Sequence, residues 1–271
     1  MKAEPASDSS APAAVSRLAT SDGDRTVGVW LALAGIAAAA WLLVLLQVDG
    51  SGMAMGGVGP LPFLASWVPM MAAMMFPAVA PAATLWLRST VRGSAAPATW
   101  ARIGAFLAGY LVAWTGFGLL ALVAGRWLSR AAAAAGPSGG PWIATGVFAA
   151  AGIYQLTPLK DGCLRRCRSP IGQVLRWAGL RGGAVDFRAG LSNGGWCVAC
   201  CWGLMAILLV VGTMNLPAML ALAAAVFAEK VWRRGRFAAR LIGVALLALA
   251  ALVPVAPGLA PALRAMPGGS M

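Results

Sequence analysis

Histidine is absent from this chain of 271 residues, and acidic side chains are scarce, eight against 21 lysines and arginines. Without imidazole there is no His-ligated haem, no His-containing zinc site and no Ser-His-Asp set. Charged residues of both signs make up only 11% of the chain while 60% is hydrophobic, which excludes an ordinary soluble domain and indicates an integral membrane protein. Phosphate-binding Gly-Lys-Ser/Thr loops and dinucleotide fingerprints are also missing, so no catalytic residues are readable and an enzyme is not indicated. Cysteines number five, an odd count, and none falls in a segment expected on the outer face of the membrane. A disulfide framework is therefore not expected, and the thiols should be free.

What the chain does have is apolar runs of about 20 residues, the length a bilayer requires. They fall at 27–48, 62–87, 101–124, 141–159, 187–212, 215–229 and 240–261. The expected fold class is all-α, a polytopic transmembrane bundle of about seven spans. With the N-terminus cytoplasmic, 18 of the 21 basic residues lie in inner segments and only Arg126, Arg130 and Arg264 in outer ones. The formal charge of +13 is then a topology signal plus contact with anionic lipid. A nucleic-acid partner would need a soluble basic domain, which is lacking. Residues 1–25 are expected to be a disordered cytoplasmic tail, 26–265 one membrane domain with a basic cytoplasmic loop over 160–186, and 266–271 a short tail. The first span is expected to be retained rather than cleaved as a signal peptide, since the segment before it is long and mixed in charge.

Sulfur is the chemistry that stands out. Cys197, Cys200 and Cys201 sit at i, i+3 and i+4, which places three thiols on one helical face, and Met205 extends it by a turn. A second cluster, Met70, Met71, Met74 and Met75, falls in the second expected span. Counted from the opposite ends at which their spans enter, both clusters lie about 12–21 Å deep in a core about 30 Å thick. Thiolate and thioether are soft ligands, and without imidazole they favour Cu(I) over hard cations. Met stripes alone more often mean packing; three thiols on one face carry more weight. Helix breakers stand beside both clusters: Pro69, Pro77 and Pro81 in one, Gly190, Asn193, Gly194 and Gly195 in the other. Interrupted helices at half-depth are a way to build ion sites, although these residues alone are better explained as kinks and close packing.

Three further features lie off the midplane. Met53 and Met55 stand in a Gly-rich outer loop that could pass Cu(I), or simply be a flexible linker. Cys163 and Cys167 are one helical turn apart in the inner basic loop, where Lys160, Arg165, Arg166 and Arg168 should favour thiolate. Ser169-Pro170 has the form of a helix start, followed by an apolar stripe of Ile171, Val174, Leu175 and Ala178 suited to the membrane surface. Glu229 alone among the acids touches an expected span; it is either a functional group or half of a local pair with Lys230.

Three blocks together resemble a bacterial domain-of-unknown-function family of predicted metal-binding integral membrane proteins, some of whose members are described as copper chaperones. They are Trp67 to Pro77; Tyr154 to Lys160 with Cys163-Leu164 and Cys167-Arg168; and Cys197, Cys200-Cys201-Trp202, Leu204-Met205, Gly212, Met214-Asn215 and Glu229-Lys230. The resemblance implies a multi-pass protein of the bacterial inner membrane that handles a metal. Joined to the soft ligands, it gives an expected role: binding Cu(I) and passing it across the bilayer, to a copper-dependent client enzyme or a soluble copper carrier. Two other readings stand beside it. One is a thiol redox protein cycling Cys197/Cys200 or Cys163/Cys167; the other is a structural subunit in which the sulfurs only pack.

Overall fold

The computed structural model describes residues 10–48, 59–90, 96–136, 139–180 and 184–256, with 258 and 262 beyond them. Those residues form nine helices and no strand, which is the all-helical class expected. The helices are α1 (Ser10–Val48), α2 (Pro60–Thr90), α3 (Ala96–Ala134), α4 (Gly139–Leu156), α5 (Pro158–Arg168), α6 (Pro170–Ala178), α7 (Val185–Val211), α8 (Leu216–Val231) and α9 (Gly235–Leu252). Five of them, α1, α2, α3, α7 and α9, are long and apolar enough to cross a membrane. α4 and α8 coincide with the fourth and sixth apolar runs but have 18 and 16 residues. α8 reaches roughly 24 Å at about 1.5 Å per residue, short of a core of about 30 Å, whereas α4 equals α9 in length and is set apart by its less apolar composition.

α5 fills in where α4 stops. Pro158 cannot continue the hydrogen-bond ladder of α4, and it holds Thr157 in an extended conformation. The Thr157 hydroxyl then caps α5 by accepting from the Lys160 amide at 3.3 Å. Ser169 does the same for α6, accepting from the Gly172 amide at 3.3 Å, so the helix start expected at Ser169-Pro170 is found. Asn215 caps α8 through Ala218 at 3.0 Å, after Gly212 has ended α7 with φ +113°. Only glycine takes that backbone conformation freely. On α6, Trp177 is buried edge-on to Trp86 of α2 and Phe106 of α3, while Ile171 and Leu175 stay exposed.

Contacts at the helix ends fix how the helices alternate. Arg88, late in α2, donates to Thr26 of α1, and Arg102, early in α3, pairs with Asp186 at the start of α7, both at 3.0 Å. Arg168 ends α5 and donates to the Trp232 carbonyl just past α8 at 2.6 Å; Arg240 of α9 lies 3.7 Å from Asp161 of α5. The segments expected on the inner side thus meet at one end of the bundle.

Three expectations change. Helices α2 and α7 are continuous, so neither sulfur cluster lies at a break: Pro69, Pro77 and Pro81 sit inside α2, and the glycines of α7 serve close packing. A β-carbon on Gly190 would stand 1.8 Å from the Phe106 carbonyl oxygen, and one on Gly109 2.0 Å from that of Phe187. Their hydrogens are what let α3 and α7 touch backbone to backbone. The last apolar run, expected over 240–261, is helical from Gly235 and stops at Leu252: Val253 still has α dihedrals and donates to the Leu249 carbonyl as the cap, but Pro254 has no amide hydrogen with which to extend the ladder. Helix also starts at Ser10, inside the segment 1–25 expected to be unstructured.

Candidate metal centre

α7 presents its cysteines to three different neighbours. The Cys197 sulfur lies 2.9 Å from the Tyr110 hydroxyl of α3 and accepts from Lys230 Nζ of α8 at 2.7 Å. Cys167 of α5 donates to the Trp196 carbonyl at 3.3 Å, one turn of α7 before Cys200. Cys201 donates back one turn to the Cys197 carbonyl at 2.8 Å. The four thiols therefore form a chain along this stretch of α7, Cys167 being laid against it from α5 and the other three fully buried. The face read from the i, i+3, i+4 spacing fans out instead of converging. Among the described residues no three Cys, Asp or Glu side chains close on one point as a ready cage.

Beside this chain is a void of about 20 Å³, walled by the sulfurs of Cys167 and Cys197, by Tyr110, Asn193 and Lys230, and by Ala78, Val79 and Ala82 of α2. That is room for one water-sized occupant, about the space a single probe sphere needs. The two thiols lining it are soft donors of the kind that suit a monovalent soft cation, while the Lys230 ammonium offers no lone pair and adds only positive charge.

A layer of ion-paired groups holds the cluster in place. Lys160 and Glu229 are 0% and 1% exposed and pair at 2.6 Å; Lys160 also donates to the Cys200 carbonyl at 2.5 Å, and Gln155 to Glu229 at 2.5 Å. The Tyr154 hydroxyl donates to the Ala199 carbonyl. α4, α5 and α8 are thus tied to the turn of α7 that bears the thiols. A local Glu229–Lys230 pair was one expectation; it does not form, because successive helical residues point apart and each finds its own partner.

The remaining predicted ligands fall as follows. Met70, Met71, Met74 and Met75 are all buried in α2, and it is the turn after them that meets the thiol void, Ala78 and Val79 being one turn on from Met74 and Met75. Met205 is buried one turn past Cys201. Cys163 is half-buried and faces a larger basic cavity. Met53 and Met55 lie outside the described residues. The Cys167 thiol, which the basic loop was expected to favour as thiolate, donates to the Trp196 carbonyl at 3.3 Å, and all five cysteines are free.

Sequence reasoning passed over Tyr110, Tyr154, Gln155, Lys160 and Lys230 as parts of the site. A signal existed: the chain has two tyrosines against twelve tryptophans, and both hydroxyls end on the cysteine-bearing stretch of α7. Lys160 was expected to act on Cys163 and Cys167 and Lys230 on Glu229; the structure turns them to Glu229 and Cys197 respectively.

A sequence family described as "Copper chaperone" matches residues 64–253, a stretch that holds every element of this site. No curated protein and no solved structure matches the chain.

Proposed function

Since the chain belongs to this copper-chaperone family, we propose that it carries Cu(I) within a bacterial inner membrane, as a bundle of seven spans with the N-terminus in the cytoplasm. Copper is the cargo. Cys167, Cys197, Cys200 and Cys201 are its central ligands, and Met205 with Met70, Met71, Met74 and Met75 are weaker thioethers for exchange. Cys163 exchanges copper at the inner face and Met53 and Met55 at the outer one. A copper-dependent client enzyme or a soluble carrier stands at one end of the path. In this reading α4 and α8 cross as well, α8 despite its length, with α5 completing the inner half of α4.

The observation that carries the reading is the chain of four thiols on α5 and α7, with Cys167 and Cys197 lining one void that Lys230 also lines. Two thiolates around Cu(I) carry one net negative charge, which is costly to bury alone. Lys230, already 2.7 Å from Cys197, cancels it. Sulfurs in sequence let copper move by ligand exchange, one bond forming as another breaks, without deep trapping.

Loading tests this directly. Purified protein given Cu(I) should retain about one or more ions per chain, set by the number of thiol pairs. Cys200→Ser with Cys201→Ser should abolish binding; full stoichiometry in that variant would refute the site. The packing of Cys167 against the turn of α7 before Cys200 also favours one other reading, a reversible disulfide. Thiol trapping in cells separates the two: a cycling pair appears oxidised, while a copper site appears as thiols shielded by metal.

A further inference from the structure

A second cavity opens on the inner side of the thiol chain, between α5, α6 and α7. It encloses about 500 Å³ and is walled by Cys163, Arg165, Arg166, Arg176, Ser169 and Trp196 among others, with no carboxylate. That volume lies in the range of small-molecule sites, roughly 300–1,000 Å³. Arg166 is stacked on the Trp196 ring, its guanidinium carbon 4.3 Å from the centroid, so this cation is held in place on the wall. Asp161, the nearest acid in sequence, is directed at Arg240 instead. One helical turn past Cys163 is Cys167, the first thiol of the chain along α7.

We infer that this cavity binds the Cu(I) complex of a small anionic thiol, a peptide-sized molecule with free carboxylates, and that Cys163 takes the metal from it. The inference rests on the copper reading above and names the form in which the cargo reaches the inner face. Guanidinium pairs with carboxylate through two parallel hydrogen bonds, which orients such a carrier rather than merely attracting it. The exchange balances. Copper enters held by two carrier thiolates, with one net negative charge. The Cys163 sulfur bonds to copper, one carrier sulfur–copper bond breaks, and the Cys163 proton leaves on the departing carrier as a thiol. A second such step at Cys167 frees the other carrier molecule. Copper stays monovalent throughout, and no oxidant or reductant is needed. A bare basic patch at a membrane surface would attract lipid phosphates equally; the thiol set in the wall, one turn from Cys167, is what favours a copper carrier.

The test uses the full chain in phosphatidylcholine nanodiscs and two probes. S-Methylglutathione has the carboxylates but a blocked sulfur, so its binding by calorimetry reports the arginines without copper. Arg165→Ala, Arg166→Ala and Arg176→Ala together should weaken it by about tenfold or more, the scale of one charge-assisted hydrogen bond. The three lysine replacements should keep most of the binding. The single exposed change Arg176→Glu should act in the same direction should the triple alanine variant not fold. Copper transfer from Cu(I)–glutathione should slow in the arginine variants and in Cys163→Ser, whereas transfer from the mercaptoethanol complex, which has no carboxylates, should slow mainly in Cys163→Ser. Absence of S-methylglutathione binding to the wild type, or equal binding to the arginine variants, overturns the cavity assignment whatever the copper content. Binding that disappears when phosphatidylglycerol replaces phosphatidylcholine marks a headgroup site and also overturns it. Normal S-methylglutathione binding by a protein that never takes up copper instead overturns the copper reading, and the exchange step with it.

Discussion

Lys230 of α8 donates to the Cys197 sulfur of α7 at 2.7 Å, while the residue before it, Glu229, turns away to pair with Lys160 of α5 at 2.6 Å. Two adjacent, oppositely charged side chains thus anchor two different layers, one at the thiols and one behind them. In the copper reading proposed above, the ammonium at Cys197 is the counter-charge for a negatively charged copper–thiolate centre inside the bundle.

Removing that charge should weaken copper binding without unfolding the protein. Lys230→Met is expected to lower Cu(I) affinity by about tenfold or more, since each 1.4 kcal/mol is a factor of ten and a lost charge-assisted hydrogen bond is worth about that. Lys230→Arg should retain most of it. Competition against a chromophoric Cu(I) chelator measures both; equal affinity in Lys230→Met would remove the counter-charge role.

Cys167 of α5 donates to the Trp196 carbonyl of α7 at 3.3 Å, one turn before Cys200. Mild oxidation of copper-free protein should therefore link Cys167 to Cys200, and peptide mapping should find that disulfide. Preloading with Cu(I) should suppress it. A Cys163–Cys167 product in its place would contradict the packing of α5 on α7.

The buried Lys160–Glu229 pair is expected to be structural. Glu229→Gln or Lys160→Met leaves one charge alone at a fully enclosed site, which costs about 3–5 kcal/mol. Denaturation in detergent should register that loss. Replacing both with apolar residues should recover much of it, because the uncompensated charge is gone.

Glycines of α7 should separate sharply by position. Gly190→Ala places a β-carbon 1.8 Å from a backbone oxygen, so α3 and α7 must part and folded yield should collapse. Gly195 has nothing within 4 Å of such a carbon. Gly195→Ala should therefore be neutral or stabilise by up to about 1 kcal/mol through helix propensity. Yield and thermal midpoint of the two variants check this; similar behaviour would contradict the close approach.

By itself the sequence determined what composition, periodicity and motif can encode: helices throughout, five of them long and apolar enough to cross a membrane, and the blocks that mark the copper-chaperone family. Caps at Thr157, Ser169 and Asn215 were local too, each a polar side chain one or two residues before a proline. Tertiary structure decided the rest, for two physical reasons. Helical spacing says which side chains share a face but not what that face meets, so Cys197 on the predicted face found Lys230, and Cys167 from α5 was laid against the same stretch of α7. Small residues look alike in a sequence whether they break a helix or let another one approach. Only the 1.8 Å clearance at Gly190 shows that α7 is whole and α3 lies against it. The site is the product of that approach, since Tyr110 reaches Cys197 from the same stretch of α3 whose Phe106 backbone leaves Gly190 no room for a side chain.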